Sequence, residues 1–250
     1  MTLPENAPSS SRYRLILGGG GDAQESLPLD RQFAEWVPLG STLLYWPFAL
    51  PENHRLLAGC ESWIASVFLP LGVTRIEAWH ADKLVSDGSR PSLDAYGGIY
   101  IGGGNTFRLL DLIRRANLES KLIDFIVSGG RVFGGSAGAI ILGKDIALAE
   151  HFGDQNAVGL RNPAALDVIQ DEDGNACLVL PHFMESWRDD AQRLASDANT
   201  TIIGIEEDAG LIIEGIRWRT VGSGGVTLVR PKPAKTGSLR IPRSPGASCH

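Results

Sequence analysis

Short apolar runs alternate with longer amphipathic segments along most of the chain. Residues 14–17, 98–101, 177–180 and 201–205 have the length and character of buried strands. Residues 52–68 place apolar side chains at intervals of three and four, as a helix with one buried face does. This alternation at βαβ spacing predicts an α/β fold with a mostly parallel central sheet flanked by helices.

The stretch 211–229 departs from this alternation. Three short strand-like runs follow one another through glycine turns, which predicts an antiparallel edge to the sheet. These runs span 211–214, 216–220 and 226–229. Residues 1–12 are polar, and residues 231–250 are rich in proline, glycine, serine and basic side chains. We therefore expect a single domain over 13–230, between a flexible N-terminus and a disordered C-terminal tail.

Composition narrows the functions open to the chain. The formal net charge of −6 and the pI near 5.4 argue against a nucleic-acid-binding surface. No apolar run approaches the roughly 18 residues of a membrane span, and the N-terminus lacks the basic and apolar regions of a signal peptide. The three cysteines are scattered and form no disulfide framework or metal-ligand pattern. We expect a cytoplasmic protein without metal, cofactor, nucleic-acid partner or membrane partner; a monomer and a homodimer both remain open.

Ser136 is the strongest candidate for chemistry. It lies at the centre of the glycine-rich stretch 134–138, between a short apolar strand and an apolar helical run. A hydroxyl flanked by glycines at a strand-to-helix turn is the nucleophile-elbow pattern, because larger neighbours would obstruct the strained backbone. The helix N-terminus also offers free N–H groups to a developing oxyanion. A small-residue turn without chemistry has the same pattern, so the motif needs partners elsewhere in the chain.

Two later strand ends supply candidate partners. His182 follows the strand 177–180 and reaches the same rim as Ser136 if the strands are parallel, which makes it the best candidate for a base. Glu207 follows the next strand, where it can contact the imidazole and fix its tautomer. The alternative acids are Glu206, Asp208 and Asp154.

Two glycine-rich loops precede Ser136. Residues 102–104 end a predicted strand beside the one that leads to Ser136, where they can complete an oxyanion hole. Residues 18–21 invite a nucleotide-binding interpretation, but neither G-x-G-x-x-G nor the Lys-Ser/Thr of a P-loop is present. We expect this earlier loop to line a substrate cleft.

Together these segments resemble the serine peptidases of the dipeptidase E and cyanophycinase family, whose fold is like that of class I glutamine amidotransferases. The matching segments are Gly102–Phe107, Gly135–Ala139, Pro181–Phe183 and Ile203–Asp208. The resemblance implies that Ser136 is the nucleophile, that His182 is general base and then acid, and that Glu207 is the orienting acid. The implied oxyanion donors are the backbone N–H groups of Ala137 and of Gly103 or Gly104.

The chain departs from this family in the helix after His182. In aspartyl dipeptidases, an arginine three residues before a second arginine holds the substrate's aspartate side chain. Here Arg193 matches the second arginine, and Asp190 stands in place of the first. A carboxylate there repels an acidic side chain, although Arg188 could turn in and replace the charge. We therefore expect a peptidase of short peptides without strict aspartyl specificity. The weaker candidates for substrate contact are Asn105, Asp154, Arg188 and Asp190.

Three other functions remain open. The first is hydrolysis of cyanophycin-like, isopeptide or other amide bonds, and the second is acyl transfer. A cyanophycin-like substrate needs a site for a basic side chain, which Asp189 or Asp190 could supply. The third is a glutamine-amidotransferase-like binding domain without turnover, against which the complete set of Ser136, His182 and Glu207 argues.

Overall fold

The computed structural model describes residues 14–81, 84 and 91–232. Its strands are β1 (Arg14–Gly18), β2 (Thr42–Trp46), β3 (Arg75–Ala78), β4 (Tyr96–Ile101), β5 (Arg131–Gly135), β6 (Cys177–Leu180), β7 (Thr201–Ile205), β8 (Ala209–Glu214), β9 (Arg217–Gly222) and β10 (Val226–Val229). Its α-helices are α1 (Leu27–Trp36), α2 (His54–Phe68), α3 (Thr106–Arg115), α4 (Glu119–Val127), α5 (Ala137–Ile140), α6 (Ala147–His151) and α7 (Arg188–Asp197). Short 3-10 helices span Leu93–Ala95 and Glu185–Trp187.

The ends of the chain lie largely outside these residues. The predicted flexible N-terminus, 1–12, and all but two residues of the predicted tail, 231–250, are not described. The division of the chain into a domain and two terminal segments therefore stays a prediction. Within the described ranges, no helix is long and apolar enough to cross a membrane.

Seven strands form one central sheet in the order β3-β2-β4-β5-β1-β8-β9. The first five of these pair in parallel, while β8 and β9 run antiparallel at the edge. Alternate residues of β1 face different cores: Leu15 and Leu17 join one apolar cluster, and Ile16 joins another on the opposite face. These features confirm the predicted α/β class, with its mostly parallel sheet and antiparallel edge.

Three strands form a second, smaller sheet, in which β6 and β7 are parallel and β10 is antiparallel to β7. The prediction that 226–229 belongs to the edge of the central sheet is therefore wrong. The chain turns after Gly222, whose φ is 112°, and then runs alongside β7. There Glu206 N donates a hydrogen bond to Gly225 O (3.1 Å), and β10 continues this pairing.

Helix α1 follows the glycine loop 18–21 after a short turn at residues 23–25. Its first turn contains Pro28, a residue favoured at the start of a helix. Its main anchor is Phe33, which is fully buried and packs edge-to-face against Phe68, Tyr100 and Phe133. The ring centroids lie 5.9, 6.5 and 5.6 Å from that of Phe33, distances typical of stabilising aromatic pairs.

We expect Phe33→Ala to lower the free energy of unfolding by about 3–5 kcal/mol, because it leaves a cavity between α1 and the sheet. Urea unfolding followed by circular dichroism measures this change. Leu39→Ala is the control: Leu39 is 92% exposed, so its removal should change the free energy by less than about 0.5 kcal/mol. A loss below about 1 kcal/mol for Phe33→Ala would contradict the packing described.

Candidate active site

Ser136 occupies the turn between β5 and α5, with φ 49° and ψ −110°. Residues with side chains rarely adopt a positive φ, and such strain persists only where the surrounding structure enforces it. Here Ser136 N donates to Gly18 O (3.1 Å), and Ser136 O accepts from Ala139 N (2.8 Å). The hydroxyl therefore stands at the carboxyl end of β5, in the geometry expected of a nucleophile elbow.

Two glycines make this turn possible. A Cβ on Gly134 would lie 2.4 Å from Gly138 O, and a Cβ on Gly138 would lie 2.3 Å from Ile101 O. Both distances are well below van der Waals contact, so the backbone approaches this closely only because both side chains are absent. The β4 register also places Ile101 beside Gly134, which puts the two glycine-rich strand ends side by side, as predicted.

His182 reaches Ser136 from the end of β6. Its Nε2 lies 2.8 Å from Ser136 Oγ, and its Nδ1 lies 3.1 Å from Glu207 Oε2. Both are hydrogen-bond distances. When Nδ1 carries the proton and donates to Glu207, Nε2 is free to accept the proton of the serine hydroxyl. The side chains of His182 and Glu207 are 40% and 60% exposed, so the pair lies at the solvent-facing rim.

The glycine loop 18–21 connects the small sheet to the central one. His182 N donates to Gly19 O (2.9 Å), and Gly21 N donates to Glu207 O (2.8 Å). A Cβ on Gly20 would lie 2.0 Å from His182 Cε1, so the absence of a side chain leaves room for the imidazole. The loop lines the candidate site, in agreement with the prediction, and it also positions the His182–Glu207 pair.

Of the predicted oxyanion donors, Gly103 and Ala137 lie next to Ser136. A Cβ on Gly103 would lie 3.2 Å from Ser136 Cβ, which shows how closely the 102–104 loop passes the serine. Gly104 has φ 133° and packs against the backbone of Ala49. Ala137 is the first residue of α5, a position whose N–H has no acceptor within a helix. The role of these backbone groups stays a prediction.

Asn105 and Asp154 hold the neighbouring loops together. Asn105 Oδ1 accepts from Arg108 N (2.9 Å) and so caps α3, and its Nδ2 donates to Gln155 O (2.8 Å). Asp154 Oδ2 accepts from Thr106 N (2.8 Å) in the first turn of the same helix. These contacts give both side chains a structural task, and a substrate contact by either one stays a prediction.

Arg188 and Asp190 form local ion pairs at the start of α7. Arg188 Nη2 lies 2.8 Å from Glu185 Oε2, and Asp190 pairs with Arg193. All four side chains are largely exposed. Arg188 therefore does not turn in to replace the missing charge, because Glu185, three residues away, already binds it. A substrate contact by Arg188 or Asp190 stays a prediction.

Two other histidines, His54 and His80, lie around a second cavity. His80 Nε2 lies 2.8 Å from Glu61 Oε1, and His54 and His80 both line a separate cavity of about 360 Å³. Over 14–81, 84 and 91–232, no group of three or more His, Cys, Asp or Glu side chains is placed to hold a metal ion.

A cavity of about 200 Å³ opens beside Ser136, between the glycine loop 18–21 and helices α1 and α2. Its lining side chains are Glu25, Ser26, Leu29, Tyr45, Leu50, Cys60, Trp63, Tyr100, Phe133, Ser136, Glu207 and Ala209. None of the four weaker candidates, Asn105, Asp154, Arg188 and Asp190, is among the described residues that line it. The sequence does not predict this cavity, because its walls come from many separate segments. In the sequence, aromatic residues on strands also have the same pattern as residues of the hydrophobic core.

Asp30 carries a buried carboxyl group one helical turn beyond Ser26, which lines the cavity. It is 0% exposed, and its Oδ2 accepts from Ser26 Oγ (2.7 Å), while Oδ1 has no partner among the described residues. Burial raises the pKa of Asp30 to about 6, and the Ser26 hydrogen bond only partly opposes this. The folded protein therefore holds a proton that the unfolded chain releases at lower pH.

The chain is similar in sequence to known peptidases. The family model "Peptidase family S51" matches residues 15–221. Peptidase E of Streptomyces coelicolor is 24% identical over 195 residues, which cover 73% of this chain and 72% of that protein. An uncharacterized peptidase of Listeria monocytogenes is 28% identical over 121 residues, covering 47% of this chain. That match spans only 56% of the Listeria protein's own length.

A solved structure also shares the fold. The crystal structure of a peptidase from an acI-B1 Actinobacterium superposes with a TM-score of 0.64 at 21% identity. The match covers 89% of this chain and 93% of that one.

We expect Asp30 to make the protein less stable as pH rises. Its folded pKa of about 6 lies above the unfolded value of 3.8, so the folded state binds more protons between these values. The stability is fully present below pH 3.8 and is lost as pH rises through about 6, a decline of about 3 kcal/mol.

Urea unfolding of wild type and Asp30→Asn at about pH 4, 6 and 8 measures the effect. Asparagine carries no ionisable proton, so the variant should gain stability relative to wild type as pH rises. Asp197→Asn, at an exposed position at the end of α7, controls for the loss of an aspartate. A difference between Asp30→Asn and wild type that is the same at every pH would contradict the prediction.

Proposed function

Because the chain belongs to peptidase family S51, we propose that it is a serine peptidase of the dipeptidase E type, which hydrolyses short peptides. One observation carries the proposal: Ser136 Oγ, the His182 ring and Glu207 Oε2 form a continuous chain, with contacts of 2.8 and 3.1 Å. That sequence of nucleophile, base and orienting acid is the arrangement that acyl transfer by serine requires.

In the proposed mechanism, Ser136 Oγ attacks the carbonyl carbon of the scissile peptide bond while His182 Nε2 takes its proton. Glu207 accepts the hydrogen bond from Nδ1–H, which keeps the imidazole in the productive tautomer and stabilises the imidazolium that forms. The protonated His182 then gives its proton to the leaving amine. Water, deprotonated by the same imidazole, hydrolyses the resulting acyl-enzyme and frees Ser136.

The negative oxygen of each tetrahedral intermediate forms beside α5 and the 102–104 loop. We assign its hydrogen-bond donors to the N–H groups of Ala137 and of Gly103 or Gly104. Preorganised donors of this kind accelerate acyl transfer by about 10²–10³-fold each, because they need no reorganisation when the charge develops. The fixed turn at Ser136 supports this assignment, since it holds the hydroxyl and the first N–H of α5 in one rigid unit.

The alternative hydrolase and transferase functions differ from the proposed one in substrate more than in catalytic residues. Hydrolysis of cyanophycin-like or isopeptide bonds, and acyl transfer to an amine, would begin with the same acyl-enzyme on Ser136. A binding domain without turnover would not need a base within hydrogen-bond distance of the serine hydroxyl. We propose a cytoplasmic location, which the three scattered cysteines support.

We expect a fluorophosphonate probe to form a covalent adduct on Ser136. Ser136→Ala should lose both the adduct and at least about 10³-fold in peptide hydrolysis, because no other group supplies the nucleophile. Intact-mass measurement with peptide mapping locates the adduct, and Ser62→Ala, at an exposed position on α2, is the control that should label fully. Absence of an adduct under conditions that label a known serine peptidase would refute the proposed mechanism.

We expect Glu207→Gln to lower kcat by about 10–10³-fold, since a neutral amide stabilises the imidazolium less well and can favour the wrong tautomer. Glu206→Gln is the matched control. Glu206 Oε2 accepts from Gly225 N (3.0 Å), a bond that the glutamine oxygen retains, so kcat should change by less than about threefold. The reverse order of effects in steady-state kinetics would assign the orienting role to Glu206.

A further inference from the structure

We propose that the cavity beside Ser136 binds an uncharged, apolar side chain on the acyl side of the scissile bond. The enzyme would then prefer aliphatic or aromatic residues at the position where aspartyl dipeptidases take aspartate. This inference rests on the proposed function, because the cavity selects a substrate only if Ser136 is the nucleophile.

The position of the cavity relates it to the acyl side. Ser136 and Gly103 both border it, and these are the proposed nucleophile and a proposed oxyanion donor, which together hold the acyl carbonyl. His182, which must reach the leaving amine, is not among the described residues that line it. A substrate whose carbonyl lies between Ser136 and Gly103 therefore directs its acyl-side residue toward the cavity and its leaving group toward the imidazole.

The walls of the cavity are mainly aromatic and aliphatic. Tyr100 is central to them: its ring centroid lies 5.9 Å from that of Tyr45, 6.0 Å from that of Trp63 and 4.6 Å from that of Phe133. Leu29 and Leu50 complete the apolar lining. Burial raises the pKa of both tyrosine hydroxyls, so they stay neutral. Because the rings are packed against one another, the cavity is formed before the substrate enters.

The volume of the cavity is also suitable for a large apolar side chain. An apolar protein cavity of about 150 Å³ is large enough to hold a benzene molecule. At about 200 Å³, the space beside Ser136 accommodates a leucine or phenylalanine side chain. Burial of such a side chain would contribute about 1.5–3 kcal/mol of apolar transfer free energy.

Charge around the cavity excludes an acidic side chain. Among the described residues that line it, the charged ones are Glu25 and Glu207, and both are acids. A substrate carboxylate would lose its hydration, would find no cation in this lining and would face two negative charges. The buried Asp30 behind Ser26 adds a third acid near the same wall.

These acids are not arranged to bind a basic side chain inside the cavity. Glu25 is exposed, and its Oε2 accepts from Asp22 N (2.9 Å), while Glu207 contacts His182. Both lie toward the solvent side, whereas the inner lining is apolar. A lysine or arginine side chain would therefore place its charge against aromatic rings, because the inner lining itself contains no acid.

Dipeptide kinetics test the proposal. Leu-Ala and Phe-Ala should have kcat/KM at least about tenfold above Asp-Ala and Lys-Ala, the discrimination expected of an apolar pocket. Cys60→Lys introduces a cation into the wall and should lower the ratio of Leu-Ala to Asp-Ala kcat/KM at least about tenfold. Ser62→Lys introduces the same charge at an exposed position of the same helix, and should leave the ratio unchanged.

A second variant protects the test from a folding defect. If circular dichroism shows that Cys60→Lys is unfolded, Trp63→Ala tests the role of the cavity instead. Removal of this wall should lower kcat/KM for Phe-Ala at least about fivefold more than for Asp-Ala. In a folded variant, an unchanged preference would overturn the proposal, as would a wild-type enzyme that prefers Asp-Ala or Lys-Ala.

Calorimetric binding of the same dipeptides to Ser136→Ala separates this proposal from the proposed function. If Ser136 takes up no fluorophosphonate but the variant binds Leu-Ala more tightly than Asp-Ala, the peptidase mechanism fails and the cavity assignment stands. If Ser136 is labelled but Asp-Ala binds more tightly, or Leu-Ala does not bind, the cavity assignment fails and the mechanism stands.

Discussion

Three backbone hydrogen bonds to the glycine loop 18–21 determine the geometry of the whole site. Gly18 O accepts from Ser136 N, Gly19 O accepts from His182 N, and Gly21 N donates to Glu207 O. Residues at the end of one strand thus hold the three side chains that we propose for catalysis. The approach is possible because side chains are absent: a Cβ on Gly19 would lie 1.8 Å from Glu206 O. Backbone contacts of this kind position reacting groups more rigidly than long side chains could.

The two sheets contribute different residues to the site. The central sheet supplies the strained turn and the 102–104 loop, which are fixed relative to each other by the pairing of β4 with β5. The small sheet supplies the proposed base and its proposed orienting acid, because β6 and β7 are parallel neighbours and their ends place His182 and Glu207 side by side. Most of the cavity beside Ser136 is lined by residues of α1, α2 and the central sheet, so this wall can vary without changing the residues of the hydrogen-bonded chain.

Much of this could be predicted from the sequence, for physical reasons that also explain the failures. The parallel strands were evident because a strand buried on both faces is a continuous apolar run. Helix α1 was not among the predicted elements, because Pro28 and the interspersed charged residues obscure its helical spacing of apolar residues. The partner of β10 was wrong because apolar character marks a strand but does not specify the neighbour with which it pairs. The cavity could not be predicted, since its lining is assembled only by tertiary structure.

The central position of β1 has a consequence for how the protein folds. This strand is the first described element, yet its neighbours are β5 and β8, with Arg14 opposite Arg131 on one side and Glu214 on the other. Pairings between residues so far apart in the chain close large loops, which slows folding. During synthesis, β1 can pair with β8 only after some 200 further residues have been added to the chain. The glycine loop can therefore align Ser136, His182 and Glu207 only when nearly all of the described chain has emerged.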